Sequence, residues 1–166
     1  LAVDHGNRRA SITLRTPESV GPNAADAIVS AGTAWWPLQV FRELNDCLLH
    51  LRLNLLNIGC IVLRVEGDQD IVLAIDDILE SQKENWFVHE VRHYIKRTLK
   101  RLDYTAKTIF ALADEGSAFA GTLFELALAA DRFFMLDDPD ESVTIALSQS
   151  NAGTFPMGNG LTRLQT

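Results

Sequence analysis

The sequence predicts an α/β fold built on a parallel sheet. Three observations carry that prediction. Apolar, β-branched runs around Ile58 to Val65 and Lys107 to Ala113 read as strands covered on both faces. Long stretches with apolar residues three and four apart separate them and read as helices. Strand–helix–strand alternation of this kind calls for parallel pairing through crossover connections.

Composition agrees with one domain and limits its partners. The chain has 166 residues, 47% of them hydrophobic and 22% charged, enough to fill a core and unlike a disordered or collagen-like chain. Fifteen Lys and Arg stand against 22 Asp and Glu, for a net charge of −7. Phosphate recognition needs clustered cations in a positive field, so no nucleic acid is expected as a partner. Nor is a membrane: the best apolar stretch, Leu123 to Ala130, is short and broken by Glu125. Cys47 and Cys60 sit inside apolar segments without a CxxC pair, as expected of buried thiols in a reducing cytoplasm. The chain opens at Leu1 without an initiator Met and without a signal-peptide pattern, and is expected to be a piece of a longer chain.

The elements follow in order. Arg9 to Thr16 alternates around Ile12 and Leu14 and reads as a strand. Pro17 to Asn23 is turn-rich, and Ala24 to Ser30 is a short helix stopped by Gly32. Pro37 starts a helix whose apolar face is Phe41, Leu44, Leu48, Leu51 and Leu55. The strand Ile58 to Val65 ends at a Gly67-Asp68 turn, and Ile71 to Leu79 fits either a strand end or a helix. Glu84 to Leu102 is a helix with Val88, Val91, Ile95, Leu99 and Leu102 on one face. After the strand Lys107 to Ala113 come a small-residue loop, Asp114 to Thr122, and a short helix, Leu123 to Ala130. Phe133 to Leu136 and Val143 to Leu147 are read as strands separated by an acidic turn, Asp137 to Glu141, and Asn151 to Gly160 as loop. No internal repeat is visible.

Three places can carry chemistry. At the loop-to-helix junction Gly116 to Ala130, the small residues Ala120, Gly121 and Thr122 let the backbone approach a ligand where a helix begins. The first-turn amides have no partners inside the helix and stabilise an anion, such as the enolate formed from a thioester. Glu125, one turn on, is placed to act as general acid or base, or simply complements the helix dipole. The second place is His89-Glu90-Val91-Arg92-His93, an HExxH pattern that aligns two imidazoles on one helix face and reads either as a zinc hydrolase motif or as a solvated face. Arg92 in its middle and the lack of a third-ligand motif favour the solvated face. The third is the basic run Arg92, Lys96, Arg97, Lys100 and Arg101, again a solvated face or a dock for anionic coenzyme A phosphates.

The string AGTLFELALAADR, the preceding Ala-Asp-Glu-Gly, and the downstream Leu147-Ser148-Gln149 and Pro156 to Leu164 segments resemble the crotonase (enoyl-CoA hydratase/isomerase) superfamily. Trp35-Trp36-Pro37, the Phe41-Arg42-Glu43-Leu44 helix and Trp86-Phe87-Val88 narrow the resemblance to its ring-cleaving family, the benzoyl-CoA-dihydrodiol lyases, over nearly the whole chain. The resemblance implies a ClpP/crotonase spiral of β-β-α units, incomplete at the C-terminus, with 1–166 as the second unit of a two-unit chain. It implies hydrolytic opening of the oxidised ring of a benzoyl-CoA dihydrodiol or epoxide, giving a semialdehyde CoA ester and formate. The only coenzyme is the CoA of the acyl-CoA substrate. No metal is implied, and a homo-oligomer is expected.

Residue by residue, the resemblance assigns Glu125 to the first acid/base position. Gln149 falls at the second, where an amide positions water but exchanges no proton. Gly121 and Thr122 fall in the oxyanion loop, with Gly-Thr-Leu replacing a triple glycine. Leu73 and Ala74 fall at the other oxyanion strand end, in a Leu-Ala-Ile-Asp string that lacks the usual glycine. These departures favour a structural or substrate-shaping unit, with catalysis in the other one. Alternatives are a non-catalytic scaffold or dimerisation unit, an enoyl-CoA hydratase/isomerase, and, most remotely, the zinc hydrolase through His89 and His93.

Overall fold

A computed structural model of the chain describes residues 1–137, 139–140 and 142–166. Five strands form one sheet in sequence order: β1 (Ala2–Asp4), β2 (Arg9–Arg15), β3 (Cys60–Glu66), β4 (Thr108–Ala113) and β5 (Arg132–Met135). β1 pairs antiparallel with β2, and every later pair is parallel. The crossovers are helical. α1 (Ala25–Ala31) and α2 (Trp36–Leu53) join β2 to β3, α3 (Gln69–Ser81) and α4 (Trp86–Asp103) join β3 to β4, and α5 (Gly121–Leu128) joins β4 to β5. Among the described residues a β-β-α unit occurs at β1–β2, and the later crossovers run strand, then helix.

Local chemistry sets the boundaries. Asn85 accepts the Phe87 and Val88 amides through its Oδ1 and fixes the start of α4. Asp68 accepts the Asp70 amide in the same way at α3. That cap, with buried Val72, Ile75 and Leu79 at helical spacing, resolves the 71–79 stretch as helix. α2 begins one residue before Pro37, which sits in its first turn, and it ends at Leu53, so Leu55 packs from the following turn.

The core lies on one face of the sheet. Ala10, Ile12, Leu14, Ile61, Leu63, Val65, Ile109, Ala111 and Ala113 alternate inward beneath the helices. β3 and β4 are fully covered on one face and only partly on the other, not on both as the sequence predicts. Their second face carries a buried Val62 and half-buried Arg64, Phe110 and Leu112, with Phe134 of β5 beside Phe110 in an edge-to-face contact at 5.8 Å. A continuous apolar run is therefore compatible with a half-covered sheet. Val143 to Leu147 is also not a strand. Only Ala146 makes a bridge, to Ala120, because the segment lies along the loop entering α5 and not along β5. The acidic turn expected over Asp137 to Glu141 includes Asp138 and Glu141, which lie outside the described residues.

Candidate active site at the start of α5

α5 starts without a capping side chain of its own: Ala120 is extended, with φ −138° and ψ 151°. The cap comes from α3. The Thr122 amide donates to Asp76 Oδ2 at 2.8 Å. The Gly121 amide donates to the Ala146 carbonyl at 2.9 Å, and the Leu123 and Phe124 amides donate back to the Ala120 carbonyl. All four amides entering the helix are thus satisfied inside the protein, two of them by groups brought from elsewhere in the chain.

The same carboxylate explains the glycine. Gly121 has φ +42°, and a Cβ there would fall 2.0 Å from Asp76 Oδ2 and 2.8 Å from Ser148 Oγ. The close approach that the small residues suggested is made by the protein's own acid, not by a ligand. Asp76 is 3% exposed and also accepts the Thr122 hydroxyl at 2.5 Å and the Ser148 hydroxyl at 2.5 Å. Burial pushes its carboxyl above the usual carboxylate range, against the opposing pull of the Ser148 and Thr122 donors.

Glu125 belongs to a second buried network. One of its oxygens accepts Asn151 Nδ2 at 2.7 Å, and the other is paired with Arg163 Nη1 at 2.8 Å. Arg163, 1% exposed at its side chain, also grips Asp103 through Nε at 3.0 Å and Nη2 at 2.8 Å, and donates to the Phe155 carbonyl. Arg163 thus ties Glu125, through one nitrogen, to Asp103, through two, and the buried network orders the fold around it.

The expected site residues therefore have other employment. Gly121 and Thr122 offer their donors to Ala146 and Asp76, because those acceptors are packed against them. Glu125 is the ion-pair partner of Arg163 and not a solvent-facing acid or base. Leu73 and Ala74 stand within helix α3, not at a strand end, so their amides belong to the helical ladder. The strand end itself is engaged elsewhere: the Gly67 amide donates to the Gly116 carbonyl and the Ala118 amide to the Val65 carbonyl. Gln149 is exposed in the 3-10 turn Gln149–Ala152, while its neighbours Ser148 and Asn151 turn inward to Asp76 and Glu125.

The sequence assigns no site role to Asp76, Ser148, Asn151, Arg163 or Asp103, although Asp76, Ser148 and Arg163 lie in strings that carry the resemblance. Asp76 had a signal, since it sits on the buried face of α3 beside Val72, Ile75 and Leu79. Arg163 had none, because its partners are 38 and 60 residues away. The HExxH residues lie on the solvent side of α4, and among the described residues no third His, Cys, Asp or Glu joins them to complete a metal cluster. No described helix is long and apolar enough to cross a membrane.

No family model matches the chain. Over 89% of its length it superimposes on an enoyl-CoA hydratase from Geobacillus kaustophilus HTA426, with a TM-score of 0.54 and 18% identity, covering 48% of that chain. The chain has the crotonase fold. It is also 46% identical, over 98% of its own length, to the benzoyl-CoA-dihydrodiol lyase of Aromatoleum evansii, and it spans 29% of that relative's length. On this crotonase-fold segment, the loop-to-helix junction that suggested an oxyanion site is closed by Asp76.

Proposed function

We propose that the chain is one crotonase-like unit of a longer lyase that opens the oxidised ring of a benzoyl-CoA dihydrodiol or epoxide, and that this unit supports the reacting site in place of forming it. The observation that carries the lyase reading is the 46% identity to benzoyl-CoA-dihydrodiol lyase across 98% of the chain. The supporting role rests on the occupied amides of α5: a thioester oxygen entering there meets the Asp76 carboxyl, and Glu125 is already paired with Arg163. The reading calls for no metal or redox cofactor beyond the CoA of the substrate. It includes self-association with a second copy and a cytoplasmic location.

Glu125→Gln in the complete lyase tests it. The amide keeps the side chain's shape, so turnover of the ring-opened CoA substrate is expected to stay within about tenfold of wild type while stability falls. A loss of three orders of magnitude in kcat at unchanged melting temperature overturns the supporting role.

A further inference from the structure

His89 and His93 stand one turn apart on α4, and their Nε2 atoms face each other at 3.2 Å. The rings meet edge to face with centroids 4.4 Å apart. We propose that this pair is a bidentate chelating site for a borderline divalent metal, taking Cu(II) in preference to Zn(II) or Ni(II), separate from the α5 junction.

The bite is right. With metal–nitrogen bonds of about 2.1 Å, two nitrogens 3.2 Å apart subtend roughly 100° at the metal, which suits both tetrahedral and tetragonal coordination. Glu90 Oε1 lies 3.7 Å from His89 Nδ1, on the far side of the ring from the Nε2 pair. That placement also separates this motif from a hydrolase: Glu90 faces the wrong nitrogen to act as base on a metal-bound water. Water fills the remaining coordination positions, because only two protein ligands converge.

The platform is rigid and open. His89 lies in the first turn of a capped, 18-residue helix, with its amide bonded to the Asn85 carbonyl at 2.9 Å, and its side chain is 57% exposed. A hollow of about 300 Å³ opens in front of the pair, between α4 and Thr154. Two of the surrounding cations already have a counter-ion, since Lys83 and Arg92 are both held by Glu80, and Glu84 adds a negative charge to the lining. Imidazole pairs suit copper, zinc and nickel, and copper binds most tightly in that order of metals.

The test is titration of the purified protein with CuCl2, read by calorimetry and electron paramagnetic resonance, beside His89→Ala, His93→Ala and His93→Gln. Wild type is expected to bind one Cu(II) with two histidine nitrogens in the equatorial plane that all three variants lack, at least tenfold more tightly than any of them. His5→Ala and His50→Ala retain that site. Equal affinity in wild type and both His93 variants, with melting temperatures unchanged, overturns the proposal. So does a wild-type spectrum showing a single histidine nitrogen.

Discussion

Replacing Asp76 by Ala removes one carboxylate and strands three donors. The Thr122 and Ser148 hydroxyls can turn to other acceptors, and Ser148 Oγ already accepts the Ser150 amide. The Thr122 amide cannot turn, since it is fixed by the first turn of α5 and buried. An unsatisfied buried amide costs about 1–3 kcal/mol, and each hydrogen bond lost to a charged partner adds roughly 1.5 kcal/mol or more. The expected loss is about 3–4 kcal/mol, a large part of the roughly 5–15 kcal/mol that holds a domain together. Asp76→Asn is the control: one amide oxygen still accepts the Thr122 N–H, and the amide nitrogen donates to the Thr122 hydroxyl. It is expected within about 1 kcal/mol of wild type at neutral pH. The two also differ in pH dependence. Burial raises the folded-state pKa of Asp76 above its unfolded value, so the folded chain holds this proton more tightly. The contribution of Asp76 is thus complete below the ordinary carboxylate pKa and declines as pH rises through the raised one. Urea unfolding between pH 4 and 8 reads both effects. Asp76→Ala within 1 kcal/mol of wild type, or Asp76→Asn retaining the full wild-type decline with pH, refutes the reasoning.

Gly121→Ala is expected to cost about 3 kcal/mol, from the Cβ pressed onto Asp76 Oδ2 and a left-handed φ, and the cost should shrink in an Asp76→Ala background where the clash partner is gone; a double-variant cycle of urea midpoints measures that coupling. Arg163→Met leaves Glu125 and Asp103 without their shared cation and is expected to destabilise by about 3–5 kcal/mol in thermal unfolding. Asn85→Ala removes the cap of α4 for about 1 kcal/mol, which calorimetry should show as a fall of roughly 2–4 °C in Tm.

Elements with a strong local period could be read from sequence. The faces of α2 and α4 and the strands β2, β3 and β4 all announce themselves in apolar spacing, and the structure places each within a few residues of the expected bounds. What depends on distant partners could not. The 143–147 segment has strand-like residues, but the loop ahead of α5 takes its pairing. The second face of the sheet looks wholly buried in sequence because Val62, Phe110 and Leu112 are apolar, yet only Val62 is buried, Phe110 and Leu112 are half-buried, and no described helix covers them. At α5 the sequence shows small residues, a helix start and an acid, and these are the same whether a ligand or a side chain fills the space. Only the position of Asp76, one crossover earlier, decides between them.

That carboxylate is also a tie between parts of the chain far apart in sequence. It joins α3 to residues 46 and 72 positions onward, across the last parallel crossover and the segment beyond β5. Three stretches pinned at one point cannot come loose singly, so breathing motions that free one must free the others. The Thr122 amide hydrogen, sitting at the knot, should therefore trade with deuterated solvent on the timescale of whole-domain opening, well behind the ends of α5 itself.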